Sequence, residues 1–230
     1  MQSVVLAKLA AIALAVEGSG NVKEESRNVG DFSSVSVEQG VSANISVGSK
    51  TSVTVSADDN LVPLVRTEVN NGRLRIGLSQ GHIRTSLPIR VNVTTPELKA
   101  VAASGGSAVT VEGTTGSTFE ADGSGGAVLT VNKAKAEQIK VSASGGGRVT
   151  LSGGAKELKV HMSGGAGIKA MDVPATSVSI SGSGGAHAEV VASESLEADL
   201  SGGAKVLVKG NPTKRSINRS GGAEVRFEAS

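Results

Sequence analysis

The chain has 230 residues, with 31 Gly and three Phe but no Tyr, Trp or Cys. The missing cysteine rules out disulfides, thiolate metal sites, a catalytic thiol and a lipid-anchored cysteine, and the scarcity of aromatics argues against an α/β enzyme core, which fills irregular volume with them. Lys and Arg number 23 against 21 Asp and Glu, a net charge of +2. The two signs are interspersed, so neither a basic stripe nor an aromatic stacking platform is present, and nucleic acid is not an expected partner.

At the N-terminus, Val4 to Val16 reads VVLAKLAAIALAV. This apolar run is shorter than the ~20 residues that span a bilayer, and Ala13-Leu14-Ala15 has the small-x-small pattern of a signal-peptidase site. Residues 1–15 are therefore expected to be a signal peptide, cleaved after Ala15, which places the mature chain in the periplasm, on the outer surface or in the medium, with no transmembrane segment. Lys8 interrupts the apolar run and no basic stretch precedes it. The competing reading is a short amphipathic helix with Lys8 on its polar face.

Residues 16–97 alternate apolar and polar side chains in short runs. These are Phe32–Val37, Ala43–Val47, Ser52–Ser56, Arg73–Leu78 and Pro88–Val93, each the period-2 pattern of a half-buried strand. Asn70-Asn71-Gly72 is a hairpin turn signal, and Pro63 makes Asp58–Val65 an irregular connection. The segment is expected to form irregular, wider first coils of the fold that follows; a separate small sandwich is the alternative. No Pro/Gly/Ser linker divides residues 16–97 from 98–230, so residues 16–230 read as one domain.

From residue 98 the chain repeats. Ser-Gly-Gly begins at Ser104, Ser124, Ser144, Ser163, Ser183, Ser201 and Ser220, with spacings of 20, 20, 19, 20, 18 and 19. The glycine pairs are Gly105-Gly106, Gly125-Gly126, Gly145-Gly146, Gly164-Gly165, Gly184-Gly185, Gly202-Gly203 and Gly221-Gly222. Aligned on the serine, one apolar column precedes it (Val101, Ala121, Val141, Val160, Ile180, Ala198, Ile217). Two follow it: Val109, Leu129, Val149, Ile168, Ala188, Val206, Val225, then Val111, Val131, Leu151, Ala170, Val190, Val208, Phe227. Alternation on both sides of a glycine corner implies two short strands and two turns per unit. Because no unit can bury its inner face alone, the units must stack. The fold class is all-β: a parallel β-helix, or β-solenoid, with coils of about 20 residues.

One or both glycines of each corner are expected at positive φ, where a Cβ is strained. Three residues after the serine come only Ser107, Ala127, Gly147, Ala166, Ala186, Ala204 and Ala223, so the corner has little room. The corners lack the strand-then-helix context of a nucleotide loop. Ser152-Gly153-Gly154 is out of phase and reads as a coincidental copy.

The block order resembles a known family. GSGNVKEESRNVGDFSSVSVEQG through NNGRLRIGL, then PIRVNVTTPELKAVAASGG, then SGGA repeats closing with SINRSGGAEVRF are similar to the family described as "Putative auto-transporter adhesin, head GIN domain", over roughly Gly18 to Phe227. The resemblance implies an exported bacterial β-helical protein and supplies no catalytic residues to carry over.

Some parallel β-helices cleave polysaccharides, which needs converging carboxylates or metal ligands. Asp122 and Asp199 share a column four coils apart, about 19 Å at strand spacing. Glu120 is expected to pair with Lys140, and His161 sits between Ser142 and Ser181. His187 neighbours Lys205 and then Glu224, and His82 stands in a loop-like segment, so no two histidines have ligand spacing. An aspartate ladder for calcium is missing, and Thr110, Thr130 and Thr150 read as exposed β-formers. The expectation is a non-catalytic surface or periplasmic structural or adhesion module without cofactor or metal, contacting a polysaccharide or protein ligand. The alternative is a carbohydrate-active enzyme, a lyase or hydrolase, on a β-helix.

Overall fold

A computed structural model describes residues 15–79 and 82–228. The expected signal peptide lies outside the described residues except for Ala15. Among the described residues the first part of the chain forms β1 (Val16–Glu17), β2 (Val22–Arg27), β3 (Ser34–Val37), β4 (Ser42–Val47) and β5 (Ser52–Asp58). A 3-10 turn at Val62–Leu64 then leads to β6 (Val65–Asn70), β7 (Arg73–Leu78), β8 (Ile83–Arg84) and β9 (Arg90–Thr95). The repeat forms β10 (Ala100–Ala103), β11 (Ala108–Glu112), β12 (Thr118–Gly123), β13 (Val128–Ala143), β14 (Arg148–Met162) and β15 (Gly167–Gly182). It continues with β16 (His187–Leu200), β17 (Lys205–Lys209), β18 (Lys214–Arg219) and β19 (Glu224–Glu228).

These strands stack as a β-solenoid. One face runs β7–β3–β10–β12–β13–β14–β15–β16–β18, every neighbour parallel. The other runs β9–β4–β11–β13–β14–β15–β16–β17–β19, again parallel. The register joins the columns read from the sequence: Val101, Ala121, Val141, Val160, Ile180 and Ala198 are paired in succession and buried. The interior is a single apolar cluster dominated by Val, Ile, Leu and Ala. Each inward side chain meets its equivalent about 4.8 Å away, so one small set of shapes fills every layer.

The expected two short strands and two turns per coil need correction. In β13 to β16 the chain bends inside one continuous strand of 14 to 16 residues. Only the Ser-Gly-Gly corner interrupts these strands; the remaining bend is made by bulges. These bulges absorb the uneven spacing of the repeat. Between β13 and β14, Val131 pairs with Leu151 and Ala134 with Gly153, so Asn132 and Lys133 oppose Ser152 alone. The register shifts again at Thr150/Ser152, Ala170/Pro174 and Ala175/Ser177. An extra residue at a bulge leaves the pairing on either side intact, so coils of unequal length keep their columns aligned.

Ser152-Gly153-Gly154 is not coincidental. Gly153 occupies this second bend at φ +139°, and a Cβ there would collide with the backbone of Ala134 in the neighbouring coil.

Residues 31–97 also depart from a plain series of wider coils. β3 and β4 form the first coil, but the chain then runs outward to β5, β6, β7 and β9 before returning as β10. The coil β3–β4 therefore lies between β7 and β9 on one side and β10 and β11 on the other. Antiparallel strands finish this end: β5 pairs with β2 and β9, and β6 with β7. Where this first coil turns, Glu38-Gln39-Gly40 replaces Ser-Gly-Gly, with Gln39 at φ +61° and Gly40 at +75°. Gln39 Oε1 accepts a hydrogen bond from the Leu78 amide at 2.7 Å. The alternation on either side of Gly40 was the available signal for this corner.

The far end is closed by side chains. Arg215 takes the last place in the buried column Phe119, Ile139, Leu158, Val178, Leu196. Its guanidinium lies 4.0 Å from the centroid of the Phe227 ring and donates to the Pro212 carbonyl and Asn211 Oδ1. A terminal coil must present a polar outer layer, and this cation–π pair covers apolar surface while keeping its charge in water.

Ala186 is fully buried at a corner. Ala186→Leu is expected to destabilise the fold by roughly 1–3 kcal/mol through overpacking. Lys140→Ala, on the exposed face, should change stability by no more than about 0.5 kcal/mol. Urea midpoints of the two variants check the column assignment; equal shifts would contradict it.

Candidate functional site

The columns that face outward offer the surface for recognition. Nine paired strands per face give a contact surface about 38 Å long at strand spacing. On the first face Glu120 and Lys140 are 2.9 Å apart, and Lys159 lies 3.2 Å from Glu157. The Glu157 carboxyl is held below the usual carboxylate range, first by the hydrogen bond from Gln138 Nε2 at 2.5 Å and then by Lys159. On the second face the column Asn92, Asn44, Thr110, Thr130, Thr150 is in register. Asn44 Nδ2 donates to Asn92 Oδ1 at 3.2 Å.

The structure places the corner glycines as follows. The first of each pair (Gly105, Gly125, Gly145, Gly164, Gly184, Gly202, Gly221) has φ between +57° and +73°. Among the second glycines only Gly106 and Gly126 share positive φ; Gly146, Gly165, Gly185, Gly203 and Gly222 do not. With the second residue so turned, its amide joins the ladder: Gly165 N donates to Gly145 O, Gly185 to Gly164, Gly203 to Gly184 and Gly222 to Gly202, at 2.7 to 2.8 Å. The corner stack is close enough that a Cβ on Gly184 would stand 2.8 Å from the Gly164 carbonyl.

The candidates for catalysis do not converge. Asp122, Ser142, His161, Ser181 and Asp199 are successive partners in one column, which keeps the two aspartates about 19 Å apart. A shallow depression of about 380 Å³ does join His161 and Asp199, which the sequence reading did not bring together. They lie two coils apart, and Asp199 accepts a hydrogen bond from Asn218 Nδ2 at 2.8 Å. His187 approaches Glu189 at 3.1 Å on its own strand, and the backbone carbonyl of His82 accepts from Val16 N. Among the described residues no cluster of His, Asp or Glu is arranged to hold a metal ion. Nor is any helix there long and apolar enough to cross a membrane.

A column missed in the sequence lies one residue before each of the first six serines: Ala103, Gly123, Ala143, Met162, Gly182, Leu200. It faces inward and alternates in size. A Cβ on Gly182 would stand 2.6 Å from Met162 Cε and 3.0 Å from Leu200 Cδ2, so glycine there makes room for its large neighbours.

At the N-terminal end of the first face a depression of about 510 Å³ is lined by Ser34, Ser36, Glu38, Asn70, Asn71, Arg73, Arg75 and Ala102. Arg73 pairs with Ser34 and Arg75 with Ser36 across the ladder, and on their other side the two serines pair with Ala100 and Ala102.

Comparisons with known proteins give the family and the fold. A family model described as "Putative auto-transporter adhesin, head GIN domain" matches residues 31–212. A crystal structure of a putative adhesin from Bacteroides fragilis superposes with a TM-score of 0.87 at 22% identity, covering 93% of this chain and 100% of that one. A putative adhesin from Parabacteroides merdae gives 0.72 at 21% identity, covering 93% and 99%. A putative lipid binding protein from Parabacteroides distasonis gives 0.73 at 18%, covering 94% and 100%. No curated protein matches the chain.

Proposed function

The chain belongs to the "Putative auto-transporter adhesin, head GIN domain" family, and on that premise we propose that it is an exported, non-catalytic surface module that holds a carbohydrate polymer against its flat faces. The observation that carries this reading is the pair of unbroken parallel ladders, whose outward columns repeat at a fixed spacing. A regular, rigid and mostly polar face matches the repeat of a polymer laid along or across it. The candidate acid/base side chains instead sit singly along one column, about 10 Å or more apart. Residues 16–230 act as one domain in this reading, and the corner glycines serve the fold.

Export and processing are tested together. Protein recovered from the periplasm or medium is expected to begin at Val16. In the structure the Val16 amide donates to the His82 carbonyl at 2.8 Å, and the Gly18 amide to the Arg84 carbonyl, so the residues after Ala15 are tied to the body. N-terminal sequencing decides; a cytosolic product starting at Met1 would refute export. For the contact function, incubation with neutral and acidic polysaccharides is expected to retain the protein on at least one and to release no new chain ends from any. Depolymerisation abolished by Asp199→Asn or His161→Ala would instead support the enzyme reading.

A further inference from the structure

We propose that the depression between Arg73 and Arg75 binds an oxyanion carried on a sugar, the carboxylate of a uronic acid or a sulfate ester, so that the polymer this module holds is an acidic polysaccharide. The inference rests on the surface-contact reading above and specifies its ligand. Its floor is made of small side chains, Ser34, Ser36 and Ala102, and Arg73 and Arg75 rise from the strand next to the two serines. Small residues below long basic ones leave room for a planar or tetrahedral anion within reach of two guanidinium forks.

The second observation is Ser36. Its side chain is only 7% exposed, and Oγ has no hydrogen-bond partner. A buried hydroxyl left unpaired is costly, and an arriving oxyanion supplies the missing acceptor. Arg75 is beside it in the ladder with 61% of its side chain exposed, so a rotamer change, fast for such a residue, opens the floor.

Charge around the depression agrees. Arg73 has no ion-pair partner among the described residues, whereas Arg75 pairs with the lining residue Glu38 at 3.5 Å and faces Glu68 across the antiparallel ladder. Glu120, across the floor, is occupied by Lys140, and Asp122 stands three strands from Arg75, about 14 Å. An anion is therefore drawn first to Arg73, and Arg75 joins it by exchanging the exposed Glu38 carboxylate for the ligand's. A lipid surface is the weaker occupant: the large apolar side chains exposed among the described residues are Val22, Val128 and Phe227, none of which lines the depression.

The test is affinity electrophoresis of the full chain in gels containing polygalacturonate (carboxylate only), dextran sulfate (sulfate only) or neutral dextran, with flotation on phosphatidylglycerol vesicles in parallel. The double variant Arg73→Gln/Arg75→Gln is compared with Arg90→Gln/Arg148→Gln, which removes the same charge from exposed positions on the other face. Retardation by one of the two acidic polymers, weakened 10-fold or more by the first pair and less than 2-fold by the second, is the expected result; the polymer that retards identifies the anion. Ser36→Ala should weaken retardation several-fold while leaving the thermal midpoint unchanged or higher, an outcome that a merely structural serine would not produce. Equal weakening by both pairs would mean diffuse charge and would overturn the proposal. Retardation by neutral dextran alone would overturn it and leave the surface-contact reading standing. Retardation by no polymer, or arginine-dependent binding to vesicles alone, would overturn both.

Discussion

Gly153→Ala is expected to lower stability by about 3 kcal/mol or more, while Gly154→Ala, one residue along, leaves it unchanged or slightly raised. Gly153 has φ +139°, a conformation that side chains rarely adopt, and a Cβ there would meet the carbonyl oxygen of Ala134, with its amide nitrogen at 2.6 Å. Both obstacles are backbone, held by the pairing of Ala134 with Gly153. Relief would require the ladder to open at the bend, so strain and a lost hydrogen bond add. Nothing lies within 4 Å of a Cβ on Gly154 and its φ is not positive. Alanine there only reduces the freedom of the unfolded chain, a gain of about 0.4–1 kcal/mol at a compatible site. Urea unfolding of the two variants separates them, and similar midpoints would show that the bend does not have this geometry.

Phe119→Ala is expected to cost about 3–5 kcal/mol, a large part of the 5–15 kcal/mol typical of a folded domain. Phe119 is fully buried and pairs in register with Ile139, the next member of an interior column. The neighbouring coils are fixed to each other by parallel hydrogen bonds, so the space left behind cannot collapse and the cavity persists. Phe227→Ala removes a ring that is 37% exposed, at the end of the Val208 column and beneath Arg215, and should cost less than about 2 kcal/mol. Equilibrium unfolding in urea, with the slope monitored for loss of cooperativity between coils, measures both. A smaller loss for Phe119→Ala than for Phe227→Ala would contradict the assignment of the core.

Much of the fold was legible in the amino-acid sequence, because a stacked coil gives equivalent residues equivalent surroundings. Val101, Ala121, Val141 and their successors are apolar since each faces the same interior, and the Ser-Gly-Gly corners recur since each stacks on the last. The charged pair Glu120–Lys140 followed directly from that alignment. The alternation of Ala103, Gly123, Ala143, Met162, Gly182 and Leu200 was present too, but a column that mixes glycine with methionine does not look apolar until the neighbours' volumes are known.

Other features were decided by the tertiary structure alone. Period-2 alternation specifies which side chains face inward but not which strand lies alongside. The pattern of β3 is satisfied equally by any parallel neighbour, and its position between β7 and β10 follows from non-local hydrogen bonding and from how the antiparallel strands close that end. The bulge at Gly153 depends on two coils differing by one residue, a difference that has meaning only once they are paired. The Arg73–Arg75 depression has the same origin. Arg73 and Arg75 are separated from Ser34 and Ser36 by some forty residues of chain, and from Ala100 and Ala102 by nearly thirty. Only the return of the chain past β3 sets these long and short side chains next to one another, because in a solenoid the contacts across a face are made between strands and not along them.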